Sequence, residues 1–443
     1  MDKNRLKVRI DSIDFAEAGK QMYQLMSDLF PICRSITGNG VRETLTKIRS
    51  VIPLEIKEVP SGTQVFDWKV PREWRIEDAW VKNSIGDKII DFKKSNLHVL
   101  NYSLPVRKKV TLNELKEHLF TIPDHPDWIP YRTSYYQENW GFCMSHNQFA
   151  ELKDESYDVL IDSSLEDGFL TYGEFYLKGA NPDEVLISTH VCHPSLCNDN
   201  LSGIVLSAVL GGLLSKASLK YSYRFLFIPG TIGSITWLSL NKENASKIKH
   251  GLVVACVGDS GSFTYKKTRI GSAEIDRVAT QALKNSAKDF NVVDFFPYGY
   301  DERQYCSPGF NLPVGCLMRT PHGEYPEYHT SADNLEFVRP ENLAKSLSVC
   351  LDIINIVEEN KKYMNQNPMC EPQLGKRGLY RHIGGHAESK KIQLALLWTL
   401  NLSDGQNSLL DIAERSSLDF NLISEAANIL LEKDLLKEHK ILT

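Results

Sequence analysis

LISTHVCHPSLCNDNLSG, residues 186–203, is the stretch that decides the fold of this chain. It opens with a short apolar run, residues 185–188, which is preceded by Pro182 and Asp183. An apolar run bounded by turn residues is typical of a buried strand in a parallel sheet. After this run comes a cluster of potential metal ligands, followed by an apolar helical stretch at residues 204–214. The cluster comprises His190, Cys192, His193, Cys197 and Asp199. Open α/β sheets bind ligands beyond the carboxyl ends of their strands, so this cluster lies where such a fold builds a site.

The pattern on both sides of this stretch alternates between strands and helices. Further strands are predicted at 223–228, 251–256 and 312–317, and helices at 203–215, 231–240, 273–286 and 340–360. Residues 14–50 show helical periodicity, and residues 51–66 alternate like a strand. We therefore expect an α/β core with a doubly wound, mostly parallel sheet, formed by residues 1–66 and 171–370.

Residues 67–170 differ from this core, because they are rich in tryptophan, proline and short alternating runs. We interpret them as an inserted β-rich domain. Its aromatic residues form either that domain's own core or a roof over a substrate cleft, and the sequence leaves both open. We expect Arg132, Tyr135 and Trp140 to lie near the cleft.

Residues 371–443 begin with a glycine-rich, charged linker at 371–384, followed by three amphipathic helices within 387–436 that resemble a winged-helix unit. The segment is acidic, and its helix after the turn has no lysine or arginine to meet phosphates or guanine edges. We expect this unit to serve packing or homo-oligomerisation rather than nucleic-acid binding. The inserted domain is a second possible oligomer contact.

Bulk composition narrows the class of protein. The chain has 443 residues, 42% hydrophobic and 24% charged, with a net charge of -5, which gives no electrostatic footprint for nucleic acid or an anionic membrane. No stretch approaches the ~20 apolar residues of a membrane span, and the N-terminus lacks a secretory signal. Nine scattered cysteines without a CxxC pair indicate reduced thiols. We expect a cytoplasmic protein without a membrane partner.

Potential zinc ligands follow several predicted strands. His190, His193 and Asp199 follow the first strand, Asp259 follows another, and His329 lies in the loop YPEYHTSADN. Imidazole nitrogen and carboxylate oxygen are zinc ligands, and a catalytic site keeps an open position for water. A single histidine or aspartate at a strand end is usually a surface or capping residue. Potential ligands at several strand ends of one α/β segment favour a site for one or two zinc ions.

The stretches DNLSG (199–203) and YHTSAD (328–333) resemble the DN-x-SG and YHT-x-x-D motifs of the co-catalytic zinc aminopeptidases, the clan of leucyl aminopeptidases and glutamate carboxypeptidases. HVCHPSLCNDNLSG, YDERQYCSPGFNLPV, YHTSADNLEFV and EPQLGKRGLYR resemble motifs of a bacterial aminopeptidase-like family within that clan. Its members carry a β-rich inserted domain and a C-terminal winged helix.

The resemblance implies roles for single residues. Asp199 would bridge two zinc ions, with Asp259 and His329 as terminal ligands, and the peptide before Asn200 would be cis. His190 matches the first histidine of the clan, although Cys192 stands where an orienting aspartate is expected. His193 is the alternative ligand, and we favour His190 because the predicted strand ends there.

The main departure from the family pattern is Gly230, where relatives usually carry a glutamate that serves as general base or zinc ligand. A general base contributes about 10²–10⁴-fold to a rate. Asp301 or Glu324 are the carboxylates that we expect to act in its place, with Glu302 and Glu327 as further candidates.

Three further residues are candidates for substrate binding. Arg303 suits a substrate carboxylate or a structural ion pair, and Tyr305 lies in the same loop, which resembles the family's substrate-side loop. His322 is the third candidate. The sequence thus predicts a zinc-dependent hydrolase of aminopeptidase type that cleaves an amide next to a free amine in a peptide or small aminoacyl compound. The alternative is an impaired or repurposed homologue with a binding or biosynthetic role.

Overall fold

The structure, a computed structural model, describes Leu6, residues 10–379 and residues 387–439, with 387–389 described by their backbone alone. Within this part of the chain, two compact units are present. The first comprises the chain up to Asp276 and again Asp289–Cys350, and the second comprises Arg277–Lys288 and the chain from Leu351 onward. Part of the predicted linker, residues 380–386, lies outside the described residues.

An eight-stranded sheet forms the centre of the first unit, in the order β1-β10-β12-β11-β13-β16-β14-β15. Strands β12, β11, β13 and β16 run parallel to one another in its middle, and their residues are almost all buried. The predicted α/β class with a mostly parallel sheet is thereby confirmed. The strands are β1 (Glu55–Pro60), β10 (Phe169–Leu177), β11 (Glu184–His190), β12 (Ser222–Ile228), β13 (Ile248–Val254), β14 (Phe263–Lys266), β15 (Phe290–Val293) and β16 (Val314–Met318).

Ten helices accompany the described part of this sheet and its connections. They are α1 (Phe15–Leu29), α2 (Asn39–Ile48), α3 (Leu112–Lys116), α4 (His146–Ala150), α5 (Ser202–Leu214), α6 (Ile232–Leu240), α7 (Lys242–Ala245), α8 (Glu274–Ser286), α9 (Glu302–Tyr305) and α10 (Pro340–Glu359). Helix α5 is apolar all round and buried, as expected for a helix in the core of an α/β unit.

Gly203 explains how α5 begins against the sheet. A Cβ atom at this position would lie 2.4 Å from the carbonyl oxygen of Val254 and 2.6 Å from polar atoms of Asn200 and Thr189. Only glycine allows the helix to start this close to the ends of β11 and β13. The glycine of the DNLSG stretch therefore fixes Asp199 at the edge of the sheet.

The chain between β1 and β10 is rich in β-structure. Strands β4 and β9 pair along most of their length in an antiparallel sheet of order β5-β4-β9-β6, and two short pairs, β2–β3 and β7–β8, lie beside it in sequence. The strands are β2 (Gln64–Val65), β3 (Trp68–Lys69), β4 (Glu73–Lys82), β5 (Lys88–Asp91), β6 (Val106–Thr111), β7 (Leu119–Phe120), β8 (Phe142–Cys143) and β9 (Ser156–Glu166).

The second unit contains a three-stranded sheet of order β18-β17-β19 and three helices. Its strands are β17 (Lys362–Asn365), β18 (Asp404–Ser408) and β19 (Leu436–Glu438), and its helices are α11 (Ala387–Leu402), α12 (Leu409–Ser416) and α13 (Phe420–Glu432). Ser408 and Asp411 form a capping box at the start of α12. Helix α13 has neither lysine nor arginine, and it buries one apolar face, which includes Phe420, Ile423 and Leu430.

One segment of the described chain, Cys197–Leu214, is long and apolar enough to cross a membrane by composition, but 83% of it is buried inside the protein. It comprises one π-helical turn, Cys197–Leu201, and α5. A buried helix in an α/β core accounts for this composition without a membrane.

Candidate metal centre

The carboxyl edge of the parallel strands brings together residues that are far apart in the sequence. His190 is the last residue of β11, and it pairs in register with Ile228 at the end of β12. Asp199 lies in the π-helical turn before α5, and His329 lies in the loop between β16 and α10. This is the edge at which α/β folds hold their ligands.

Three imidazoles surround the Asp199 carboxylate, which is completely buried. His190 Nε2 lies 2.8 Å from Asp199 Oδ1, while Asp199 Oδ2 lies 3.0 Å from His329 Nε2 and 3.8 Å from His193 Nε2. Ligand atoms of His190, His193 and Asp199 all lie within 4.8 Å of one another. Both histidines between which the sequence left a choice therefore reach the same carboxylate.

The charges at this group favour a cation. Burial raises the pKa of Asp199, but the imidazoles of His193, His190 and His329 outweigh burial and hold that pKa well below its usual value. Burial lowers the pKa of His193 to about 3, so its ring is neutral at pH 7. An ionised carboxylate beside neutral imidazole is the donor set that zinc prefers.

A second layer of hydrogen bonds fixes these side chains. Asp333 accepts the backbone N–H of Asn198 at 2.6 Å and of Asp199 at 2.9 Å. Buried Arg34 donates from Nε to the carbonyl oxygen of His193 at 2.8 Å. Arg34 thereby positions the loop that carries His193. The peptide Asp199–Asn200 is cis, as the resemblance implied.

His329 has a backbone conformation that few non-glycine residues adopt, with φ at 56°. Such residues persist where the surrounding structure holds them, and they cluster at functional sites. The Tyr328 ring stacks on the His329 ring at 3.9 Å between centroids, and Tyr131 donates its backbone N–H to the His329 carbonyl oxygen at 2.7 Å. The imidazole is therefore held from both sides.

Tyr131 is a site residue that the sequence analysis missed. Its ring lies 5.1 Å from the centroids of both His193 and His329, and its hydroxyl is 2.7 Å from that of Tyr135. It comes from the inserted segment, about 60 residues before the nearest of the histidines. Tyr131 is one of several aromatic residues in that segment, and nothing local to it distinguishes it.

We expected three residues of the inserted segment near the cleft, and of these only Tyr135 contacts Tyr131, which lies over His193 and His329. Arg132 is exposed, and Trp140 stacks on His118 at 3.5 Å between ring centroids. The aromatic residues of the insertion thus divide between a roof over the histidines and the insertion's own packing.

Asp259 lies outside the group formed by His190, His193 and Asp199, and its role as a zinc ligand stays a prediction. Its carboxylate accepts Asn198 Nδ2 at 3.0 Å, the backbone N–H of Gly261 at 2.6 Å and the Thr320 hydroxyl at 2.7 Å. These donors occupy its oxygens. Through its bonds to Thr320, Asp259 joins the loops after β13 and β16.

Gly230 follows β12 and lies beside His190. An ideal Cβ there would be 3.1 Å from His190 Cβ and 3.3 Å from Asp301 Oδ2. Asp301 is completely buried, and its Oδ1 accepts the Ser234 hydroxyl at 2.7 Å, while Oδ2 has no hydrogen-bond partner. Burial raises the pKa of Asp301 to about 6, against the lowering effect of His190.

The other predicted site residues have different surroundings. Tyr305 is buried beneath β11, where its hydroxyl lies 2.9 Å from that of Ser188, so it supports the strand instead of lining an open cleft. Arg303 and His322 are half-buried, and Arg303 Nε and His322 Nδ1 are buried without a hydrogen-bond partner. Glu324 is exposed on the loop that carries His322.

Comparisons with known proteins can now be set beside this geometry. The profile of a domain of unknown function, DUF4910, matches residues 23–360, and a winged helix-turn-helix profile matches residues 361–438. A Clostridium acetobutylicum protein, provisionally named a polysaccharide biosynthesis protein with an aminopeptidase-like domain, is 56% identical over 95% of this chain and 97% of its own length.

Solved structures are similar as well. The crystal structure of a provisionally named peptidase from Clostridium acetobutylicum has a TM-score of 0.92 and 54% identity, covering 96% of this chain and 98% of that one. The Bacillus subtilis zinc aminopeptidase BSAP has a TM-score of 0.56 and 12% identity, covering 76% of this chain and 95% of its own. At that identity, the likeness to BSAP shows the fold.

Proposed function

Because this chain belongs to the DUF4910 family and has the fold of zinc aminopeptidases, we propose that it is a zinc-dependent hydrolase of aminopeptidase type. Its substrate is an amide next to a free amine, in a peptide or a small aminoacyl compound. The observation that carries the proposal is the convergence of three imidazoles on one buried, ionised carboxylate at the carboxyl edge of a parallel sheet.

The residues fit a zinc ion by the chemistry of their donors. His190, His193 and Asp199 would hold it, because their ligand atoms all lie within 4.8 Å of one another. His329 would be a further ligand, since its Nε2 lies 3.0 Å from Asp199 Oδ2. Bound zinc supplies a Lewis acid and a water of lowered pKa. Since Asp259 is occupied by protein donors, this set supports one ion rather than two.

The chain's own residues orient the substrate and exclude water. Tyr131 and Tyr328 cover the His329 side of the site, and Tyr300 stacks on His190 at 4.8 Å between ring centroids. This aromatic enclosure lowers the local dielectric, which strengthens the interaction of polar groups within it. Arg303 Nε and His322 Nδ1 are buried without hydrogen-bond partners, and we expect polar groups of the substrate to supply those partners.

Gly230 favours a second candidate function, a scaffold that binds an aminoacyl compound in a biosynthetic pathway without rapid hydrolysis. The strand end offers no carboxylate to take a proton at this position. The Clostridium relative, named for polysaccharide biosynthesis, supports such a role.

Zinc titration combined with a hydrolysis assay tests the proposal. The metal-free chain should bind about one zinc ion in calorimetry, and the zinc-loaded chain should cleave at least one member of a panel of aminoacyl p-nitroanilides. His329→Ala should weaken zinc binding, whereas His125→Ala, which removes an imidazole stacked on Trp128, should not. Equal zinc affinity in both variants contradicts the proposed site, and zinc binding without any hydrolysis favours the second candidate.

A further inference from the structure

Arg303, in helix α9, is a half-buried cation that forms no ion pair with any described residue. Its Nε is buried without a hydrogen-bond partner, whereas its terminal nitrogens, Nη1 and Nη2, are open to solvent. Other arginines of this unit are compensated: Arg224 pairs with Glu184, and Arg42 pairs with Glu73. Of the two roles that the sequence left open for Arg303, a structural ion pair is therefore absent.

The acids next to Arg303 in the chain do not compensate it either. Glu302 is paired with Lys266, whose Nζ lies 2.8 Å from Glu302 Oε1. Asp301 accepts the Ser234 hydroxyl at 2.7 Å, and burial outweighs the charge of Arg303 in setting the pKa of Asp301. A guanidinium carries five N–H donors and stays charged at neutral pH, so its partner must come from outside the described chain.

The guanidinium lies at a position that a ligand can reach from solvent. Its Cζ lies 5.9 Å from the ring of Tyr298, which is 67% exposed. Tyr136, which is 64% exposed, lies within electrostatic reach on another side. Desolvation raises the pKa of the Tyr136 hydroxyl, with a smaller contribution from Cys192, and the Arg303 charge opposes both. Exposed aromatic rings thus flank the open end of the guanidinium, and their contact helps to hold its plane in place.

A row of aromatic rings connects this position with the metal centre. The Tyr298 ring lies 5.7 Å from that of His322, which lies 5.0 Å from that of Tyr300, which stacks on His190 at 4.8 Å between centroids. At the other end of the row, the side chain of His329 is 33% exposed. One extended substrate can therefore reach both the metal centre and the guanidinium from solvent.

We propose that Arg303 binds an anionic group, a carboxylate or a phosphate, in the part of the substrate beyond the amide bond. The inference rests on the proposed function and names the class of its substrate, an aminoacyl compound whose amine-derived part carries a negative charge. Paired N–H donors of a guanidinium match two oxygens of either group.

The distance from the metal centre decides which part of the substrate carries the anion. The side chains of Tyr300 and His322 lie between the His190 imidazole and the ring that contacts the guanidinium. On its amine side, an aminoacyl compound ends after one α-carbon and its side chain. A group that lies beyond two aromatic rings therefore belongs to the part that hydrolysis would release as the amine product.

The experiment uses two pairs of compounds that differ only in the anionic group. L-alanylglycine is compared with L-alanylglycinamide, and N-(L-alanyl)-2-aminoethyl phosphate is compared with N-(L-alanyl)-2-aminoethanol. Calorimetric titration of the full chain measures binding, and release of free alanine measures hydrolysis by the zinc-loaded chain. Wild type should bind the anionic member of at least one pair about tenfold more tightly, and the pair with the larger preference identifies carboxylate or phosphate as the group.

Three variants make the result specific to this side chain. Arg303→Gln should lower the anion preference by about tenfold, the effect of one charged hydrogen bond. Arg303→Lys keeps the charge without the planar fork, so it should retain part of the preference. Arg107→Gln removes an exposed arginine of strand β6 and should leave the preference intact. Circular dichroism checks that each variant is folded.

The outcomes separate this inference from the proposed function. Equal binding of both members of each pair by wild type, no binding of any of the four compounds, or an undiminished preference in Arg303→Gln would overturn the anion subsite. Hydrolysis without an anion preference keeps the proposed function and removes this inference. If the chain binds no zinc and hydrolyses none of the compounds, yet its anion preference depends on Arg303, the subsite is supported and the hydrolase proposal is wrong.

Discussion

Asp199 and Asp301 are both completely buried near the same edge of the sheet, but their surroundings shift their pKa values in opposite directions. Around Asp199, three imidazoles hold its pKa well below the usual value, whereas Asp301 has one hydroxyl donor and a pKa raised to about 6. Burial is equal, so the partners decide the charge state. The contrast indicates that the Asp199 carboxylate is prepared for a cation held by several residues, whereas the Asp301 carboxylate has only one hydrogen-bond donor.

The largest effect on zinc binding is expected from a substitution of Asp199 itself. Asp199→Asn removes the negative charge on which His190, His193 and His329 converge. Protein sites bind structural zinc with ~10–16 kcal/mol, so loss of one of four ligands should weaken zinc binding by on the order of a thousandfold. Calorimetric zinc titration checks this. An affinity within a few-fold of wild type would show that Asp199 is not a ligand.

Gly230→Glu, beside Asp301, should increase the rate of hydrolysis. A carboxylate at the end of β12 would restore the general base that the family resemblance implies, and hydrolysis should rise by about 10²–10⁴-fold in kcat. Gly230→Gln is the matched control, since it has the same shape without the charge; equal rates in both variants would contradict a missing base.

Asp301→Asn should stabilise the folded chain at high pH. The folded state binds the Asp301 proton more tightly than the unfolded state, so stability decreases as pH rises from the usual value of 3.8 through about 6. At about 1.4 kcal/mol per pKa unit, the variant should gain up to about 3 kcal/mol at pH 8 and almost nothing at pH 3.

Urea unfolding of wild type and variant at the two pH values measures this difference. Asp199 has the opposite sign, because its depressed pKa stabilises the folded chain above the usual value and that stability is lost as pH falls. A variant Asp301→Asn that is equally stable to wild type at pH 8 would show that the Asp301 charge is compensated.

The smallest effect is expected at the second layer. Arg34→Met should retain much of the packing of the buried side chain but remove its hydrogen bonds to the carbonyl oxygens of His193 and Leu29 and to the Thr44 hydroxyl. Outer residues of this kind change metal affinity by about 10- to 100-fold, and a bond to the backbone should lie at the low end. Zinc titration of the variant, with circular dichroism as a check on folding, measures it; an affinity equal to wild type would limit Arg34 to packing.

The sequence predicted those features that are determined by residues close together in the chain. The apolar run that became β11, and the turn and glycine that follow it, indicated both the sheet and the placement of His190 and Asp199 at its edge. The Asp259 prediction rested on its position after β13 alone, whereas its hydrogen-bond donors, Asn198 and Thr320, come from other loops and could not be predicted locally. Its role as a zinc ligand stays a prediction. Tyr131 was missed for the same reason, since its contacts with His193 and His329 arise only from the folded insertion.

Other expectations from the sequence stay predictions. They include the cytoplasmic location, the absence of nucleic-acid and membrane partners, and homo-oligomerisation through the insertion or the C-terminal helices. Helix α13 without basic residues remains the reason to expect no DNA binding from the winged-helix unit.

X-ray absorption at the zinc edge of the zinc-loaded chain tests the central claim most directly. A metal held by Asp199 and the three histidines predicts a first shell of nitrogen and oxygen only, with imidazole scattering that decreases in His190→Ala and in His329→Ala. Cys192, Cys197 and Cys256 are buried in this part of the chain, so a sulfur shell at ~2.3 Å would be easily recognised. Such a shell, or imidazole scattering unchanged in both variants, would contradict the account.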